Sequence, residues 1–191
     1  MRTIASLWLL LLVGCSTATP APHTHYLMRS EAPDRSERVN SRPRVGIRRV
    51  TLARYLDHPG LVLETAPGEV RSARYHEWAE PLSDGLRSLL RAELSRALGA
   101  DVDDVAARSA HWTYAIDVKV DQFHGTAAGD ALLVASWRID RIAKPDGVAA
   151  QYRFAQRIPL PRPGYAALAE AQIELARRLA SAIAESIDET S

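Results

Sequence analysis

Few residues in this chain have the chemistry of a reactive centre. One cysteine, Cys15, stands in 191 residues, at the end of the apolar run "LWLLLLVGC". A lone thiol closes no internal disulfide, and without neighbouring cysteines it builds no zinc site. His76-Glu77 sets an imidazole beside a carboxylate, as acid–base work would require, but no nucleophile accompanies it. His23-Thr24-His25 offers two imidazoles on a polar segment that supplies no further ligand. Asp103-Asp104 is an acidic pair in a polar link and reads as solvated charge. His111 and His124 flank one strand and read as edge residues rather than ligands. No G-x-S-x-G elbow, P-loop or H-E-x-x-H is present. These residues predict no catalytic centre, no metal site and no cofactor.

The position of Cys15 needs its own account. The apolar run from Ile4 to Val13, broken only by Ser6, is about half the roughly 20 residues that a transmembrane helix needs. Its length suits the h-region of a signal peptide, with Arg2 as the positive n-region. Leu12-Val13-Gly14-Cys15 resembles the bacterial lipobox. In that class the thiol takes a diacylglycerol, the peptide is cut before the cysteine, and the new amino terminus is acylated. One acyl chain holds a protein only marginally, whereas two or more hold it stably. The resemblance further implies export to the outer membrane, because Ser16 rather than Asp follows the cysteine.

Cutting before Cys15 removes one of 24 basic residues and none of the 23 acidic ones, so the mature chain is neutral. A nucleic-acid partner would demand a basic face and is not expected. The chain divides into a signal peptide (1–14), a lipidated tether (15–42) and one domain (43–191). The tether is rich in Ser, Thr, Pro and charge and has little periodicity. Tyr26-Leu27-Met28 is its one apolar spot and a candidate short strand. The domain is long enough for a single core.

The elements that must position any site follow from periodicity. "RVGIRRVTL" reads as a half-buried strand. "LVLET" and "EVRSARYH" flank Ala66-Pro67-Gly68 and predict a hairpin. Pro81 suits a first helical turn, since its missing N–H has no partner there. Leu82, Leu86, Leu89, Leu90, Leu94 and Leu98 then form a helical stripe with Arg87, Arg91, Glu93 and Arg96 outside it, and Gly99 marks the stop. Trp112, Tyr114, Ile116, Val118 and Val120 alternate with polar residues, and two more alternating runs follow at Ala131–Ile139 and Val148–Phe154. Their short links predict an antiparallel meander. Trp112, Tyr114 and Trp137 read as core, with a lipid-binding face as the lesser reading. Leu168, Ala171, Leu175, Leu179, Ile183 and Ile187 predict a final helix. The fold class is α+β: an antiparallel sheet with two amphipathic helices packed on one face, preceded by a flexible lipidated tether.

Two short motifs remain unexplained by packing alone. "YLDHP" contributes Tyr55, Leu56, Asp57 and Pro59 before the hairpin, and "WAEPL" contributes Trp78, Glu80 and Pro81 at the start of the first helix. In this order, behind a lipobox and followed by "DQFHG" and "LLVASWRI", they resemble the ABC-type transport auxiliary lipoproteins of the paraquat-inducible protein C (PqiC/YmbA-like) family. The likeness spans about residues 26–185. His58 stands where relatives often have arginine, and Ala53 where they often have proline.

The resemblance implies an outer-membrane lipoprotein facing the periplasm. It implies work beside an MCE-domain (PqiB-like) protein and its inner-membrane component, in a system that moves lipids or maintains the envelope. Ring-like self-association is plausible where the partner is a ring. No cofactor and no catalysis are implied. The Tyr55–Pro59 loop is the candidate partner contact, since loops carry function more often than core strands. Trp78, Glu80 and Pro81 read as a structural motif. The rival reading is a periplasmic lipid-binding lipoprotein acting without an MCE partner, with an apolar groove on the second sheet face. An envelope enzyme stands third.

Overall fold

The computed structural model describes residues 22–30, 45–100, 102–104, 112–142 and 150–190. The leucine stripe does form a helix, α1 (Leu82–Leu98), and burial falls on Leu82, Leu86, Leu89, Leu90 and Leu94. Gly99 ends it in the left-handed region at φ 57°, where a side chain would be strained. The second stripe forms α2 (Tyr165–Thr190), burying Leu168, Leu175, Leu179, Ile183 and Ile187.

The three alternating runs are β6 (Tyr114–Thr126), β7 (Asp130–Arg141) and β8 (Ala150–Pro159). They pair antiparallel in sequence order, Val118 opposite Trp137 and Trp137 opposite Tyr152. The expected meander is therefore present. The earlier strands make the sheet mixed. β2 (Val45–Leu52) and β3 (Gly60–Ala66) both run parallel to β6 along its other edge. β2 covers β6 as far as Val120, and β3 covers it from Gly125. Beyond β2 lies β5 (Val102–Asp104), parallel. Beyond β3 lie its hairpin partner β4 (Glu69–Trp78) and then β1 (Thr24–Tyr26), parallel to β4. The sheet thus forks along β6. The chain leaves that edge at the end of β2 and rejoins it as β3.

β1 falls within the segment read as tether. Behind it Met28 is 1% exposed. Gly85 of α1 permits that approach: a Cβ there would sit 3.1 Å from the Met28 Cβ.

Both helices cover one sheet face. Tyr114, Ile116, Val118 and Val120 of β6 are buried beneath them, with Leu133, Ala135, Trp137 and Ile139 of β7. Trp137 Nε1 donates to Ser186 Oγ of α2 at 3.0 Å, so the polar atom of this buried indole is satisfied. The opposite face carries ion pairs, with half-buried Leu132 and Val134 of β7 also on it. Arg48 bridges Asp117 and Asp140, each at 2.8 Å, and Lys119 pairs with Asp121 at 2.7 Å.

Glu93 departs from the expected polar side of α1. It is 5% exposed and holds Arg96 of its own helix. Ser30 Oγ donates to it at 2.6 Å, and Arg177 of α2 lies at 3.7 Å. A buried carboxylate needs such partners, and this one joins the β1 segment to both helices.

Candidate functional site

The two motifs meet. "YLDHP" connects β2 to β3, and "WAEPL" connects β4 to α1. The β3–β4 hairpin sets Gly60 opposite Glu77, so the residues just outside each end of the hairpin become neighbours. The Trp78 N–H donates to the Pro59 carbonyl at 2.8 Å, and the Ala79 N–H to the Tyr26 carbonyl at 2.8 Å. A signal in the sequence could have found this: both motifs flank the same turn, Pro67-Gly68, at nearly equal distance.

Between them lies a cleft of about 410 Å³. Leu52, Leu56, Trp78 and Leu82 form its apolar floor, and Asp57, His58, Pro59, Ala79, Glu80, Pro81 and Ser83 complete its walls. The sequence-chosen residues divide by role. Leu56 is 1% exposed and Trp78 5%, so both are packing residues of the floor. Asp57, Pro59, Glu80 and Pro81 are exposed at the rim. Cys15 lies outside the described residues, as does His111.

Tyr55 turns inward. One turn of 3-10 helix, Arg54–Leu56, carries its ring into the fork between β2 and β3. There its hydroxyl accepts the Phe123 N–H at 3.3 Å and lies 2.9 Å from His124 Nδ1. The other ring nitrogen, Nε2, is buried without a hydrogen-bond partner and lies 3.9 Å from Glu64 Oε2. His124 is no edge residue: it is 5% exposed within β6. A register shift between Val120 and Gln122 lets consecutive residues near it turn inward, which strict alternation would not predict. Burial pushes the His124 imidazole below its ordinary value; Glu64 opposes and Arg157 adds to it. Burial also raises the Tyr55 phenol, which therefore stays protonated. The arrangement is a latch that fixes the loop. It has no nucleophile. Among the described residues no cluster of three or more metal-ligating side chains exists.

His25 and His76 sit at the β1 edge. The Tyr26 hydroxyl lies 3.0 Å from His76 Nδ1, and the His76 ring stacks on Tyr165 at 4.6 Å. His25 lies 4.0 Å from Glu77. His76 and Glu77, adjacent in sequence, are split by strand alternation, and their side chains meet different residues, Tyr26 and His25.

Residues 26–184 match the family model described as "ABC-type transport auxiliary lipoprotein component". The chain belongs to this family. Both cleft motifs and the latch fall inside the matched range. The intermembrane transport lipoprotein PqiC of Escherichia coli (strain K12) is 30% identical over 139 residues, 72% of each chain, and the PqiC of Shigella flexneri matches equally. Among solved structures, an uncharacterized protein superposes with a TM-score of 0.72 at 20% identity, covering 87% of this auxiliary lipoprotein and 99% of its own chain. A Xanthomonas campestris protein gives 0.67 at 19% identity, covering 88% and 100%. These two share the fold.

Proposed function

We propose that this auxiliary lipoprotein is held by acyl chains on Cys15 at the periplasmic face of the outer membrane. There it serves as the docking piece of an MCE-type intermembrane lipid transport system. Its partners are an MCE-domain protein and, through it, an inner-membrane component. The observation that carries the reading is the 30% identity to a protein named an intermembrane transport lipoprotein, over 72% of the chain. The geometry agrees with a docking role. A rigid latch presents a loop and a cleft at the surface, and no reactive constellation lies in it.

The lipid-binding alternative needs an apolar groove on the uncovered sheet face. That face carries the Arg48–Asp117–Asp140 and Lys119–Asp121 ion pairs, which an acyl chain would have to desolvate. Docking is therefore the favoured reading.

Crosslinked pull-down of the tagged full-length lipoprotein from its native envelope, read by mass spectrometry, tests it. Recovery of an MCE-domain protein is the expected result. Recovery of phospholipid with no such protein would overturn the docking reading in favour of the lipid binder.

A further inference from the structure

The cleft between the Tyr55–Pro59 loop and the start of α1 has a chemistry that narrows its occupant. We propose that it receives a short segment of the protein partner, with one or two apolar side chains on the floor and flanking Lys or Arg at the rim. The inference rests on the docking reading and names what the docked surface recognises.

The size sets the first limit. A volume of about 410 Å³ falls at the lower end of the roughly 300–1,000 Å³ of ligand pockets. It accommodates a few side chains and no folded element. The floor sets the second. Leu52, Leu56, Trp78 and Leu82 present carbon, so the inserted group is apolar. The rim sets the third. Asp57 and Glu80 are exposed, one from each motif, on opposite walls. Among the described residues neither carboxylate has a hydrogen bond or ion pair. His58, the one basic side chain lining the cleft, is held by Ser72 Oγ at 3.2 Å. The acidity is local, since the whole chain is close to neutral. Two unneutralised carboxylates repel a lipid phosphate or an acidic peptide and attract a cation. An occupant that is apolar in the middle and basic at its flanks satisfies floor and rim together.

Glu80 has a competing use. Its Oε1 reaches back over the first turn of α1, 3.4 Å from where a Cβ on Gly85 would sit. A carboxylate there is favoured by the helix N-terminus. Asp57 has no such role, so the two residues separate docking from helix stability.

The test places a photo-crosslinking amino acid at Pro59 of the full-length lipoprotein in its native envelope and maps the conjugate by mass spectrometry. It is repeated with Asp57→Lys alone and with Glu80→Lys added, while thermal melting of each purified variant is followed. The expected conjugate is a protein segment with Lys or Arg beside an apolar residue. Asp57→Lys should lower its yield about tenfold with melting unchanged, and the combined variant should lower it further. A conjugate with phospholipid or an acidic segment, no conjugate at all, or a yield indifferent to Asp57→Lys would each overturn the inference. If the basic segment is found but belongs to a protein without an MCE domain, the cleft assignment stands and the proposed transport system falls. If an MCE-domain protein is recovered by pull-down but never at Pro59, the reverse holds.

Discussion

At the scale of single residues, the Tyr55–His124 pair decides how the loop behaves. The hydroxyl satisfies both a backbone N–H and a buried ring nitrogen. Tyr55→Phe strands both, and an unsatisfied buried polar group costs about 1–3 kcal/mol. The expected outcome is a lower urea midpoint at unchanged slope, with the loop rather than the helices losing hydrogen-exchange protection. The same pair gives a pH dependence. His124 has a folded value lowered by burial, so the unfolded chain binds the proton more readily. Stability therefore rises with pH in this window. It is lost as pH falls below the ordinary histidine value, about 6.5, towards the lowered folded value. Melting temperature should drop between pH 7 and pH 5, and His124→Gln should flatten that slope. A His124→Gln slope as steep as the parent's would assign the effect to other groups.

At the scale of elements, the hairpin that joins the two motifs has little slack. A Cβ on Gly60 would lie 2.3 Å from Ser72 Oγ and 2.4 Å from the Ala73 carbonyl oxygen. The hydroxyl can rotate away, but the carbonyl belongs to β4 and moves only with the strand. Gly60→Ala should therefore cost about 1–3 kcal/mol or more and should loosen the Pro59–Trp78 backbone contact that closes the cleft. Chemical denaturation measures the first, and exchange of the Trp78 amide the second. Gly60 carried no mark in the sequence, because the demand on it comes from a strand that pairs with it across the hairpin. Elements that bury one stripe against a core were legible: Leu86 to Leu98 show the helical period, and Tyr114 to Val120 show the strand period. The parallel pairing of β2 and β3 with β6 was not, since periodicity reports which face is buried and says nothing of which strand lies alongside. Glu93 escaped for a related reason. Its burial is set by Ser30 and Arg177, which are distant in sequence. The two motifs could be singled out one by one, but their common cleft is a property of hairpin register.

At the scale of the whole molecule, the proposed acylation site, Cys15, and the folded domain lie closer along the chain than a tether to residue 42 would place them. β1 begins at Thr24, nine residues after Cys15. At about 3.3–3.6 Å per residue, that stretch spans at most roughly 30 Å when fully extended. With the proposed lipid on Cys15, a domain tied through β1 would stay within that distance of the bilayer surface, which suits the proposed docking role. β1 is integral to the fold, because it pairs with β4 and leads to buried Met28. The proposed lipid anchor should be separable from the fold, since Cys15 precedes β1 in the sequence. Cys15→Ser should abolish incorporation of radiolabelled palmitate and move the protein from the membrane fraction to the soluble fraction. It should leave the urea midpoint of the purified protein unchanged. Retained label would place acylation elsewhere. A lowered midpoint would mean that the segment before β1 contributes to folding as well as to attachment. Loss of the label with an unchanged midpoint would establish that the lipid determines only where this domain stands.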